Sequence, residues 1–178
     1  MRSMFKNKKD NNRLSSGFTL MELIIVMAII GILAAIAVPS MVAYITQSRL
    51  DSANSSAKTV YNAMNNYCMQ CINAGIKIPS ATYPASGTFI EIGGLPEDGN
   101  RTPDVPLVSM SAADAESFIT QAIAINAGSD FEGTYFSVQI NSNGFPAAVI
   151  WAQNDGDRYV GGYPNPADRA NWTIAQAQ

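Results

Sequence analysis

The sequence predicts an α+β protein: one long N-terminal helix followed by a smaller antiparallel sheet. Three observations carry that class. An apolar run occupies residues 18–38. Helical periodicity then continues without a break to about residue 74. Near the C-terminus, Tyr135–Ile140 and Phe145–Trp151 flank Asn141-Ser142-Asn143-Gly144, which is a hairpin signal. A helix first and strands last is the order of an α+β chain, not of an alternating parallel one. With 178 residues there is room for one globular domain plus an apolar stalk.

The first 17 residues are polar, rich in Lys and Asn, and closed by Ser15-Ser16-Gly17. Arg2, Lys6, Lys8, Lys9 and Arg13 stand against Asp10, a net +4, while the remainder holds six basic and thirteen acidic residues, a net −7. A basic segment ahead of an apolar run keeps that end in the cytoplasm and sends the acidic part across the membrane. The acidic balance argues against binding nucleic acid along the molecule, because phosphates need positive potential. Phe18 to Val38 would form a helix of about 31 Å, close to the hydrocarbon thickness of a bilayer. Its apolar residues surround the axis, so it must be buried on all sides, in lipid or among copies of itself. Glu22 is the anomaly. A carboxylate at the centre of a membrane helix costs about 2.5–3.5 kcal/mol, although one near the helix start can reach the interface and favours the positive end of the dipole.

Beyond Pro39, Val42, Ile45, Arg49, Ala53, Ala57, Val60, Met64, Cys68, Cys71 and Ile72 recur in steps of three and four. That is an amphipathic helix with one buried face, stopped by Gly75. Ser48, Asp51, Ser52, Asn54, Ser55 and Ser56 fall on the other side and read as solvated surface. Pro39 cannot donate to the carbonyl of Ala35, which predicts a kink, and Gly31 costs about 1 kcal/mol relative to Ala. Tyr44, Tyr61 and Tyr67 read as packing aromatics, within the chain or between copies of it.

Residues 76–110 are loop-like, with five prolines, Gly93-Gly94, and a short strand at Thr88–Ile92. Ser111-x-x-Asp114 has the form of a capping box, and a second helix follows it and closes at Gly128. After the hairpin, a third strand is expected at Arg158–Gly161 and a fourth at Trp172–Ile174.

The chain has no histidine, which removes Ser-His-Asp and Cys-His catalysis and most catalytic zinc sites. No nucleotide-binding loop appears, and no cofactor is called for. Cys68 and Cys71 form a C-x-x-C at a helix end, where the dipole disfavours thiolate. A small local disulfide and two buried thiols are both open. Asp155 and Asp157, around Gly156, are a weak calcium candidate on what reads better as a solvated turn, so no metal is assigned. Asn54-Ser55-Ser56 and Asn171-Trp172-Thr173 match the glycosylation pattern. Ala35-Ile36-Ala37 has the form of an ordinary signal-peptidase site, which would leave a mature chain beginning at Val38.

The stretch G-F-T-L-M-E-L, with basic residues before Gly17 and an acid fifth from Phe18, resembles the class III leader and N-terminus of type IV pilins and pseudopilins. The resemblance runs on through Gly31 and Pro39 and covers about the first 40 to 70 residues; the C-terminal two-thirds carries no comparable signature. It implies the type IV pilin fold. Residues 1–17 would be a leader removed by prepilin peptidase between Gly17 and Phe18, with methylation of the new Phe18 amine. Residues 18–39 would be a transmembrane and then filament-core helix, and residues 40–178 an amphipathic helix plus an extracytoplasmic domain. Glu22 would pair with the Phe18 amine of an adjacent subunit, and Gly31–Pro39 could extend or melt on packing. The implied function is a structural subunit of a type IV pilus, serving adhesion, motility or DNA uptake. The implied partners are copies of itself, the peptidase, a platform membrane protein, an assembly ATPase and, before assembly, membrane lipid. The precursor would sit in the cytoplasmic membrane and the product in a surface pilus. Many Gram-negative pilins close a C-terminal loop with a disulfide; with no cysteine after Cys71, this chain cannot. The alternatives are a pseudopilin of a type II secretion or competence system, and a membrane-anchored binding protein with an uncleaved helix.

Overall fold

The computed structural model describes residues 18–85, 89–96, 103–106 and 110–178. The expected leader 1–17, including Gly17, and Thr88 of the expected Thr88–Ile92 strand lie outside the described residues. The chain divides into two compact units, with the boundary between Val42 and Ala43.

The first unit is helical from Leu20 and is the beginning of α1 (Leu20–Asn73). Thr19 opens the helix: its hydroxyl and carbonyl oxygens both accept from the Glu22 N–H, at 3.2 and 3.1 Å. This satisfies a donor that a first turn otherwise leaves bare. The helix runs without interruption through Pro39, and the Ser40 hydroxyl donates to the Ala37 carbonyl at 2.9 Å.

In the second unit α1 buries Leu50, Ala53, Ala57, Val60, Ala63, Met64, Tyr67, Cys68 and Cys71. Four residues of the expected face are instead exposed: Val42, Ile45, Arg49 and Ile72. Periodicity alone cannot tell where along a stripe packing starts, and here the buried run begins at Leu50. At the far end the stripe shifts toward Ala63 and Tyr67, which leaves Ile72 outside it. Gly75 (φ 78°) stops the helix as expected. The Ile76 N–H reaches back to the Cys71 carbonyl at 2.8 Å and the Gly75 N–H to Ile72 at 2.9 Å, a Schellman closure.

Five antiparallel strands follow: β1 (Thr82–Tyr83), β2 (Ile90–Glu91), β3 (Tyr135–Ile140), β4 (Pro146–Ala152) and β5 (Gly161–Tyr163). The order is β1-β3-β4-β5, with β2 also pairing β3; Thr82 faces Gln139 and Ile90 faces Phe136. The β3–β4 hairpin stands where it was expected. The Asn141 side-chain oxygen accepts from Asn143 N–H (2.8 Å) and Phe145 N–H (3.2 Å), and Gly144 takes φ 85°. Between β2 and β3 lies α2 (Ala112–Ala127), capped by Ser111, whose hydroxyl accepts from Asp114 N–H at 3.3 Å and donates to the Asp114 carboxylate at 2.5 Å.

Three expectations about strands need correction. β1 forms in a segment read as loop. The third strand lies at Gly161–Tyr163 and not at Arg158–Gly161, because the Tyr159 N–H is already spent on the Asp157 carboxylate (3.0 Å) and the backbone is still turning. Trp172–Ile174 forms no strand; it lies in turns, and Trp172 and Ile174 pack on the sheet as side chains.

Both faces of the sheet are covered. Phe136, Val138, Ile140, Val149 and Trp151 meet α1 and the Ile119–Ile123 face of α2. Ala148, Ile150 and Ala152 meet Val160, Ala177, Trp172 and Ile174. Double burial explains why β4 reads as a continuous apolar run and does not alternate. The buried Trp151 indole donates to the Thr134 hydroxyl at 3.0 Å.

Candidate functional site: an exposed apolar helix

Every residue from Phe18 to Val42 is solvent-exposed. Leu23, Ile24, Ile25, Val26 and Met27 make more than a full helical turn, and all five are between 42% and 63% exposed. Its exposed side chains therefore surround the helix axis on every face. Burying an apolar side chain of this size is worth about 1.5–3 kcal/mol, so a rod of this kind gains greatly from an apolar surrounding. Glu22 is the single charge between Phe18 and Val42, and it sits in the first turn of α1. Phe18 stands just before the helix, 77% exposed. Gly31 lies mid-rod, and a Cβ added there would meet nothing within 4 Å, so nothing among the described residues requires a glycine. Pro39 lies in the same exposed rod.

What ties α1 to the rest of the second unit was not read from the sequence. Asn54, expected on a solvated face, is half-buried. Its side-chain oxygen accepts from Gly162 N–H (3.0 Å) and Ala167 N–H (2.8 Å), and its nitrogen donates to the Ala167 carbonyl (3.0 Å). Beside it a Cβ on Gly161 would overlap the Ala53 carbonyl, so β5 touches the helix backbone itself. Tyr61 packs against Tyr163 with ring centroids 4.7 Å apart and planes tilted by 58°, and Lys58 reaches over the Tyr163 ring at 6.0 Å. The sequence clue was a Gly161-Gly162 pair entering a strand, where glycine marks close backbone approach. The amide of Asn54 is committed to the fold, which argues against glycosylation there. Asn171 is exposed, at φ 60°.

Cys68 and Cys71 stand fully buried as two free thiols in this structure. Burial, and then the neighbouring Cys71, push the Cys68 thiol up to about 12; burial raises Cys71 as well. Burial thus disfavours the thiolate that a redox nucleophile needs at both positions. Tyr67, also pushed up chiefly by burial, donates its hydroxyl to the Asp104 carbonyl at 2.9 Å.

Asp157 turns its carboxylate onto the Tyr159 N–H, and with Gly156 at φ 74° the Asn154–Asp157 segment is a turn held by its own backbone. Among the described residues no three or more His, Cys, Asp or Glu side chains gather in one place, so Asp155 and Asp157 lack further acidic ligands.

Residues 12–38 match the family model described as the prokaryotic N-terminal methylation motif. The chain is 39% identical over 90 residues to the type IV major pilin protein PilA of Myxococcus xanthus, an alignment covering 51% of this chain and 36% of that protein. It is 46% identical over 55 residues to the fimbrial protein EcpC of Eikenella corrodens, covering 31% and 36%. In these two pairs the chain spans little more than a third of the relative's length. A type IV major fimbrial protein FimA of Dichelobacter nodosus aligns far more fully, 33% identical over 128 residues, covering 67% of this chain and 78% of that protein. No solved structure matches. A long N-terminal helix, an antiparallel sheet, a methylation motif and an alignment spanning most of a fimbrial subunit converge: the chain belongs to the type IV pilin family.

Proposed function

We propose that this chain is a precursor of the structural subunit of a type IV pilus, and that it polymerises through residues 18–39 once its leader is removed. The observation that carries this reading is the bare apolar rod of α1 with its one acid, Glu22. In the precursor, acyl chains solvate the rod; in the fibre, neighbouring rods do. One surface thus serves as membrane anchor and as assembly interface. Open space around Gly31 supports the second role, since a glycine with no neighbour in its own subunit lets another helix come close. Gly31–Pro39 is also where the rod is cheapest to extend, because Gly has low helix propensity and Pro39 supplies no backbone donor.

Cleavage between Gly17 and Phe18 removes the basic leader and creates a cationic amine, which methylation leaves charged. Pairing that amine with Glu22 of an adjacent subunit neutralises a carboxylate that would cost several kcal/mol if buried alone, and so selects one stagger. The N-terminus faces the cytoplasm and the second unit lies outside, following the charge asymmetry of the chain. Residues 40–178 decorate the fibre. The peptidase, a platform membrane protein and an assembly ATPase act on the subunit, and the chain itself works as a building block and not as an enzyme.

N-terminal mass spectrometry of material sheared from the cell surface tests this. The expected product begins at Phe18 and carries an N-methyl group. A product beginning at Val38 would have no rod to polymerise and would overturn the proposal.

A further inference from the structure

The exposed apolar surface of α1 does not end at Val38. Met41 is 64% exposed, Val42 59% and Ile45 41%, before the chain turns polar at Thr46-Gln47-Ser48-Arg49. Aromatic residues mark both ends of this surface. Phe18 and Tyr44 are 77% and 75% exposed, and no aromatic residue lies between them. Their separation along the chain corresponds to about 39 Å of helix. That exceeds the hydrocarbon core, about 30 Å, and approaches the full bilayer with its headgroups, about 40–45 Å.

We propose that Tyr44 is an interfacial anchor. In the membrane-resident precursor it lies at the outer headgroup level, with Met41, Val42 and Ile45 against lipid, so that the lipid-contacting surface extends more than a turn beyond Pro39. The partner is the lipid surface itself, and the inference rests on the membrane-spanning precursor proposed above. Tyrosine suits this level because its ring is apolar and its hydroxyl is wet, and aromatic belts form at both membrane boundaries. A protein partner would give no reason for aromatics to be confined to two positions one bilayer apart. Ser40 does not oppose the placement, since its hydroxyl is already bonded to the Ala37 carbonyl. Arg49 follows a little over a turn beyond Tyr44, its guanidinium 5.4 Å from the Tyr159 ring centre, and puts a cation where lipid phosphates are met.

The test is the depth of a tryptophan reporter in the full chain, reconstituted into phosphatidylethanolamine–phosphatidylglycerol vesicles that contain brominated phosphatidylcholine. Tyr44→Trp adds emission over the constant background of Trp151 and Trp172, and Leu33→Trp is the control for the rod's centre. Most of the added Tyr44→Trp emission should be lost to bromines placed near the headgroup, and that of Leu33→Trp to bromines near the chain ends. Emission from Tyr44→Trp that is unquenched, or quenched best by the deep bromines, overturns the anchor while leaving the spanning helix intact. If Leu33→Trp is also unquenched, the membrane reading fails and the anchor fails with it.

Discussion

A single side-chain amide does much of the fastening of α1. Asn54 bonds three backbone groups on two segments that lie more than a hundred residues further along the chain. Gly162 belongs to β5, an outer strand of the sheet, so Asn54 also occupies the N–H of an edge that would otherwise be open to another chain. Removing the amide leaves three backbone groups to find water, and each net bond is worth about 0.5–1.5 kcal/mol. Asn54→Ala should therefore lower the unfolding free energy by about 2 kcal/mol in urea titration. Asn54→Asp keeps both accepted bonds and loses only the donated one, so it should fall between the wild type and Asn54→Ala. Equal stability of all three chains would show that the amide merely sits there. In sequence Asn54 was one polar residue among several on a polar face, and its role depends on partners that no local pattern announces.

At the scale of elements, what could be read was whatever short-range chemistry determines. The rod, the Gly75 stop, the Ser111 cap and the Asn141–Gly144 turn each carry their own signal, and each formed. What could not be read depends on distant partners. β1 is two residues long and exists because Thr82 and Tyr83 lie beside Gln139 and Val138. The tail around Trp172 and Ile174 has strand-like residues, yet its task is to cover Ala148, Ile150 and Ala152 from above, which needs side chains and not a ladder. The same logic fixes the seam between β5 and α1. Gly161→Ala would drive a methyl into the Ala53 carbonyl and the Asn54 N–H, backbone atoms that cannot swing aside. Overpacking of this kind costs about 1–3 kcal/mol, so the melting temperature should drop clearly, whereas Gly93→Ala, which meets nothing within 4 Å, should leave it unchanged. A melting temperature for Gly161→Ala matching that of Gly93→Ala would mean that the strand does not press on the helix.

For the whole molecule, the decisive feature of the proposed function is the separation of folding from assembly along one helix. Among the described residues none before Leu50 belongs to the buried core, so under the proposed function the determinants of domain stability and those of polymerisation occupy different stretches of α1. A substitution in residues 18–42 should accordingly change the fibre without changing the fold. Glu22 is the sharpest case, because it lies in the first turn, its side chain is exposed, and it is the rod's one charge. Glu22→Ala should leave leader cleavage largely intact, as read by the mass of the mature N-terminus, and should leave the thermal unfolding of the detergent-solubilised chain unchanged. The yield of sheared fibres should fall severely, because the Phe18 amine would then enter the rod bundle without its counter-charge. Glu22→Gln separates charge from shape: it preserves hydrogen bonding and size, so a loss equal to that of Glu22→Ala assigns the effect to the carboxylate's charge. Normal fibre yield from Glu22→Ala would remove Glu22 from assembly and leave the exposed rod to find its register by packing alone, whereas normal yield from Glu22→Gln alone would remove only the charge from its role.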